Sequence, residues 1–254
     1  MIKLTDTHAH YDDEAYDNDR DELLQRLFNE SVGKIVTVGC ALDRWEPTLA
    51  LTEKYEGIYG AVGIHPEDIY GLPDDYLSQI EKLTENKKIV AVGEIGLDYH
   101  YENYDREKQI EIFTEQLKLA DKLSMPVIIH SRDATEDTMR ILKEEKPKKA
   151  VMHCFSGSRE TALEVLSLGL YISFTGVLTF KNAKKAVEAC EAAPMDRLML
   201  ETDCPYMAPV PYRGERCDSS MILSTAAKMA EIKGVSTEEM IGICNRNAEV
   251  FFGI

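Results

Sequence analysis

Val127-Ile128-Ile129-His130 is a run of β-branched residues that ends on a histidine, and reading outward from it finds the same arrangement along the whole chain. His8 and His10 close the run 2–7, and His65 follows 58–64. Glu94 and Asp98 accompany 89–92, His153 follows 150–152, and Glu201 with Asp203 follow 198–200. Short apolar runs of this kind suit strands buried on both faces of a parallel sheet. If such a sheet closes into a barrel, its strand ends meet at one rim, and these histidines and carboxylates meet there too.

The spacing of the runs supports closure. Buried-strand patterns fall near 2–8, 34–40, 58–64, 89–95, 126–130, 149–154, 170–175 and 197–202. Helical patterns lie between them. Over 105–123, for example, Ile110, Phe113, Leu117, Ala120 and Leu123 recur at three- and four-residue steps and make one apolar face. Strand followed by helix, eight times, predicts a (β/α)8 TIM barrel. The length, 254 residues, is close to the roughly 250 of that fold, so residues 1–254 are expected to form one domain. At the end, 218–252 reads as two helices split by Gly234-Val235-Ser236, with Ser236 and Glu239 spaced as a capping box.

Composition narrows the functional classes. The formal net charge of −16 argues against a broad electrostatic hold on nucleic acid. No apolar stretch approaches the ~20 residues of a membrane span, and Met1-Ile2-Lys3-Leu4-Thr5-Asp6 lacks a signal peptide's apolar segment. A soluble, cytoplasmic protein without membrane partners is expected. The six cysteines form no Cys-x-x-Cys pair and are expected to be reduced thiols. The acidic run from Asp12 to Glu22 reads as the solvated start of a helix, where negative charge suits the positive end of the helix dipole.

His8 and His10, two apart on a strand, leave the same face and can grip one cation. His-x-His alone is a weak signal. With His130, His153, Glu94 and Asp203 the count becomes four imidazoles and two carboxylates, enough for two divalent ions that share a carboxylate and a water. Burying six such groups singly, with no shared cation, is costly. Two such ions would leave the cleft positive in an acidic protein, because distant surface charge is screened over ~10 Å. For any polyanion, weak, salt-sensitive binding of its ends is therefore the expected mode. Imidazole donors favour Zn2+ or Mn2+ and phosphate chemistry favours Mg2+, so the ion's identity stays open.

These residues sit in longer motifs. They are Thr5-Asp6-Thr7-His8-Ala9-His10, Val62-Gly63-Ile64-His65-Pro66, Gly93-Glu94-Ile95-Gly96-Leu97-Asp98-Tyr99, Ile129-His130-Ser131-Arg132, His153-Cys154-Phe155-Ser156-Gly157-Ser158 and Glu201-Thr202-Asp203-Cys204-Pro205-Tyr206. In this order the chain resembles the TatD family of metal-dependent deoxyribonucleases, among the amidohydrolase-like barrels. The resemblance implies metal ligation by His8, His10, Glu94, His130, His153 and Asp203, and hydrolysis of DNA phosphodiesters from a 3′ end. It further implies that Asp203 takes or relays the proton of the attacking water, and Glu94 counts with it among the catalytic residues. His65 is expected to touch the scissile phosphate rather than metal. Glu201 is expected to hold a ligand by hydrogen bonding from one layer deeper.

Softer expectations attach to the rim. Arg132, Arg213 and Arg216 can pair with phosphates, and Tyr99, His100, Tyr101 and Tyr104 can stack on a base. In the loop Arg213-Gly214-Glu215-Arg216, Glu215 stands where the family usually has lysine, which weakens the expected hold on a long polynucleotide. Two other classes stay open. A hydrolase of a small amide, lactone or phosphoester often carries a carboxylated lysine on the fourth strand, where this chain has Glu94. A silent binding protein would be expected to lack a ligand, and none is missing.

Overall fold

The structure, a computed structural model, describes residues 2–254. Its strands are β1 (Leu4–Ala9), β2 (Val32–Gly39), β3 (Ile58–Val62), β4 (Ile89–Asp98), β5 (Val127–Arg132), β6 (Ala150–Met152), β7 (Tyr171–Phe174) and β8 (Leu198–Leu200). Each of the first seven is followed by one helix: α1 (Arg20–Glu30), α2 (Trp45–Lys54), α3 (Tyr76–Leu83), α4 (Arg106–Leu123), α5 (Thr135–Glu145), α6 (Arg159–Ser167) and α7 (Lys184–Ala192). Two follow β8, α8 (Ile222–Lys233) and α9 (Thr237–Phe252). Strands pair in sequence order and in parallel. A parallel bridge between Ala9 and Cys204 brings the last strand back to the first. There the His8 carbonyl accepts from the Asp203 N–H at 2.9 Å, and the Cys204 carbonyl accepts from the His10 N–H at 2.8 Å. This is the (β/α)8 barrel expected from the sequence.

The apolar core has an inner and an outer part. Val36, Val38, Val90, Ile128, Val151 and Met199 form one buried cluster with Phe251 and Phe252 of α9. Side chains two positions further along a strand face the same side. His130, His153 and Glu201 therefore stand one layer above Ile128, Val151 and Met199. A larger cluster, including Val62, Val92, Ile129, Phe113 and Leu117, fills the space between barrel and helices. Helix starts follow local capping. The Asp105 side chain accepts from the Lys108 N–H to begin α4, and Ser236 Oγ accepts from the Glu239 N–H at 3.2 Å to begin α9.

Two strands are shorter than their apolar runs. β6 and β8 stop at Met152 and Leu200, and just beyond them Cys154 and Asp203 take φ of 44° and 59°. That left-handed backbone cannot extend a strand, and it turns the chain beside His153 and at Asp203. Gly96 serves the opposite purpose. A Cβ there would lie 2.0 Å from the His130 carbonyl, so only glycine lets β4 and β5 approach at the register pair Gly96–His130. The acidic run also differs from its expectation. Most of it precedes α1, in a loop with a single 3-10 turn at Glu14–Tyr16, and only Asp21 and Glu22 lie in the first helical turn.

Candidate metal centre

At the C-terminal ends of the strands, a cavity of about 650 Å³ has His10, His65, Glu94, His130, His153 and Asp203 among its lining. His8 lies beneath it, fully buried. Around one oxygen of Glu94 the donors are close. His8 Nε2 is 3.3 Å from Glu94 Oε2, 3.1 Å from His10 Nε2 and 3.7 Å from Asp203 Oδ1. His10 Nε2 is 3.4 Å from Asp203 Oδ1 and 4.0 Å from Glu94 Oε2. Ligands about 2.1 Å from one ion stand about 3.0–3.4 Å apart in octahedral or tetrahedral geometry, which the His8–His10, His8–Glu94 and His10–Asp203 separations match and the 3.7 and 4.0 Å ones exceed. Around the other oxygen, Oε1, lie His130 Nδ1 at 2.6 Å, His153 Nε2 at 2.7 Å and His65 Nε2 at 3.9 Å. His153 Nε2 and His130 Nδ1 are 3.4 Å apart.

The outward nitrogens explain why the inward ones converge. His10 Nδ1 lies 3.1 Å from the Val38 carbonyl, and His130 Nε2 lies 3.1 Å from Asp98 Oδ2. An acceptor on the far nitrogen fixes the tautomer and aims the near nitrogen inward. His153 Nδ1 is 3.5 Å from Glu201 Oε1, an ion-pair separation whose alignment is not that of a hydrogen bond. His8 Nδ1 is buried with no hydrogen-bond partner among the described residues. Glu201 belongs with His8 and His153 by distance alone. Both of its oxygens are already used, Oε1 by the Cys154 N–H at 2.5 Å and Oε2 by the Ser173 hydroxyl at 2.7 Å. It is better suited to holding β6 and β7 together than to ligation.

Electrostatics favour ionised carboxylates facing imidazoles. Burial opposes the charge on Glu94, but the imidazoles of His153, His130 and His8 outweigh it and hold the carboxyl well below its usual range. Burial likewise opposes the charge on Asp203, and the hydrogen bond from His10 reverses the balance. His130 is pushed up to about 9: burial works against its charge, and Glu94 and Asp98 more than compensate. His65 falls to about 4 because burial removes its water and Glu94 only partly makes up the loss. Imidazoles and carboxylates packed this tightly have the chemistry of a cation site.

The rim sorts the remaining candidates. Arg132 lines the cavity, and among the described residues no carboxylate pairs with it. Arg213 does not line it and lies 3.7 Å above the Phe180 ring. Arg216 donates to both carboxylate oxygens of Asp19, at 2.7 and 2.5 Å, so the fold has taken it. Glu215 is exposed outside the cavity lining. His100 pairs with Asp133 at 2.8 Å instead of joining the cluster.

Asp6 escaped sequence reasoning, although it continues the alternate series Asp6, His8, His10. It is fully buried, and burial lifts its pKa to about 7 against the hydrogen bonds of Ser219 and Thr202. Oδ1 accepts from the Thr202 N–H at 3.0 Å, and Oδ2 accepts from the hydroxyls of Thr202 and Ser219, both at 2.6 Å. These bonds tie β1 to the residue before Asp203. Asp6→Ala would strand three buried donors and is expected to cost about 3 kcal/mol or more, read as a lower urea midpoint at unchanged slope. A midpoint equal to that of the parent would show that water takes over these bonds.

Residues 5–253 match the family model described as TatD related DNase. The chain is 43% identical to the protein named uncharacterized metal-dependent hydrolase YabD of Bacillus subtilis, over 99% of each chain. It is 35% identical to the 3′-5′ ssDNA/RNA exonuclease TatD of Cronobacter sakazakii, over 76% of this chain and 75% of that one. The crystal structure of YjjV, a TatD homolog from Escherichia coli K12, superposes with a TM-score of 0.93 at 32% identity, covering 99% and 98%.

Proposed function

The chain belongs to the family of TatD-related DNases, and we propose that it hydrolyses phosphodiester bonds of single-stranded or short DNA from a free 3′ end, using two divalent ions. It is a metal-dependent hydrolase of that family, and its histidine and carboxylate cluster can hold metal. The observation that carries the proposal is the division of donors between the two oxygens of one carboxylate, Glu94, at the floor of an open cavity. His8, His10, Glu94 and Asp203 are assigned to one ion, and Glu94, His130 and His153 to the other. His65 stands beside the second set, close enough to touch either a phosphate or a metal.

When bound, the ions supply Lewis acidity and a water acidified towards neutrality. The residues do the rest. Asp203 is ionised and reaches the cavity with 13% of its side chain exposed, against 5% for Glu94, so Asp203 is assigned to accept the proton of the attacking water. Arg132 and His65 are assigned to hold the phosphate, and Arg213 contributes at most from the periphery. Asp98 keeps His130 turned inward. As the water oxygen bonds to phosphorus and the P–O bond to the sugar breaks, Asp203 is assigned to pass that proton to the leaving oxygen, which frees the product.

A labelled single-stranded oligonucleotide incubated with Mg2+, Mn2+ or Zn2+ tests this reading. Stepwise shortening from the 3′ end, weakening as salt rises, is expected. The acids Asp12, Asp13, Glu67 and Asp68 in the lining favour one other reading, a small ester, amide or lactone as substrate. Turnover of such a compound with no loss of oligonucleotide would establish it. Chelation gives an independent check. Each ion held at about 100 times its Kd stabilises by about 2.7 kcal/mol, so stripping even one should lower Tm by about 5–10 °C, reversibly. An unchanged Tm on chelation would mean that the cluster holds no ion.

A further inference from the structure

Four aromatic side chains follow β4, and the fold has already used three. Tyr99 donates to Asp137 Oδ2 at 2.9 Å and stacks on Tyr104, ring centroids 4.5 Å apart. His100 is paired with Asp133. Tyr101 alone lines the cavity, and it is 54% exposed. Its ring meets His100 edge to face, centroids 5.2 Å apart, and Arg132, whose guanidinium carbon lies 5.2 Å from the ring centroid and whose Nη1 donates to the hydroxyl at 3.3 Å. The register pair Asp98–Arg132 places this arginine at the same depth as the acid that holds His130.

The cavity wall is asymmetric in charge. Asp13, Glu67 and Asp68 come from the loops after β1 and β3. Arg44, on that side, is engaged by the Asp12 carbonyl at 3.2 Å. The loops after β6 and β7 contribute Ser156 and Val177 and no acid. Tyr206, the other exposed ring in the lining, donates to Asp13 Oδ2 at 3.1 Å and so sits on the acidic side. A polyanion is repelled there, and among the described residues Arg132 is an arginine of the lining that no carboxylate pairs with, so it is the cation left to meet a phosphate beside the metal cluster.

We propose that Tyr101 and Arg132 form a nucleoside subsite, in which the base next to the cleaved phosphodiester stacks on Tyr101 and the neighbouring phosphate pairs with Arg132. The subsite rests on the nuclease reading and assigns its single-strand preference to one side chain, because a base can lie on Tyr101 only when it is free of a partner strand. Stacking on an aromatic side chain is worth about 1–3 kcal/mol per base, or roughly 5- to 150-fold in affinity.

The test compares a single-stranded octamer of deoxyadenosine with an abasic deoxyribose-phosphate chain of the same length. The metal-loaded protein should have a kcat/KM at least roughly 5-fold higher on the base-bearing chain, carried by KM. Tyr101→Leu should bring the ratio close to one, whereas Tyr101→Phe should keep it, since the ring and not the hydroxyl stacks. Arg132→Gln should slow both chains and leave the ratio. Binding gives a second readout: a terminal 2-aminopurine should be quenched by the parent protein and not by Tyr101→Leu. A ratio near one in the parent, or one unmoved by Tyr101→Leu, overturns the subsite and leaves the nuclease reading standing. Cleavage of neither chain overturns both.

Discussion

Glu94→Gln is expected to reduce metal-dependent hydrolysis by roughly 1000-fold or more, and to cost the protein at least one bound ion. The replacement has nearly the same shape, so the loss isolates charge and donor chemistry. Glu94 Oε1 faces nitrogens of His130 and His153 at 2.6 and 2.7 Å, and Oε2 faces His8 at 3.3 Å. An amide offers one oxygen where two are needed, and it turns an N–H towards donors on the other side. The uncharged group also removes the partner that lifts His130 and His153 towards protonation. Metal content by elemental analysis and initial rates on an oligonucleotide measure the two effects together. A variant that keeps both ions and more than about a tenth of its activity would show that Glu94 is not shared between them.

Asp203→Asn should act on a narrower step. The amide retains a ligating oxygen but cannot accept the water's proton, and kcat should fall by roughly 100-fold or more, the scale of losing a general base. Metal occupancy should hold better than in Glu94→Gln, because His8, His10 and Glu94 remain around the same position. Asp203 also ends β8 in a left-handed turn with φ of 59°, which asparagine tolerates as well as aspartate. A folding defect is therefore not expected. Unchanged turnover with metal intact would place proton transfer on another group, for which His65 at the cavity wall is the first candidate.

Short, fully apolar runs and the 3.6-residue period between them were sufficient for the barrel. Eight apolar runs separated by helical patterns leave little choice of parallel architecture, because both faces of each strand must be buried and each crossover must lie outside the sheet. The same logic directed His8, His10, His130, His153 and Asp203 to one rim, since a strand's direction determines which of its ends reaches it, whereas Glu94 joins them from inside β4, which runs on to Asp98. What a linear chain does not contain is the pairing of atoms across strands. The division of donors between the two oxygens of Glu94, the engagement of Asp98 with His130 and the burial of Asp6 beneath Thr202 depend on register and side-chain direction, which only closure sets. The arginines show the limit most plainly. Arg132, Arg213 and Arg216 are equivalent as sequence, yet one faces the cavity, one rests on Phe180 and one is held by Asp19. Long flexible side chains take whichever partner the folded surface brings within reach, and that choice was made in three dimensions.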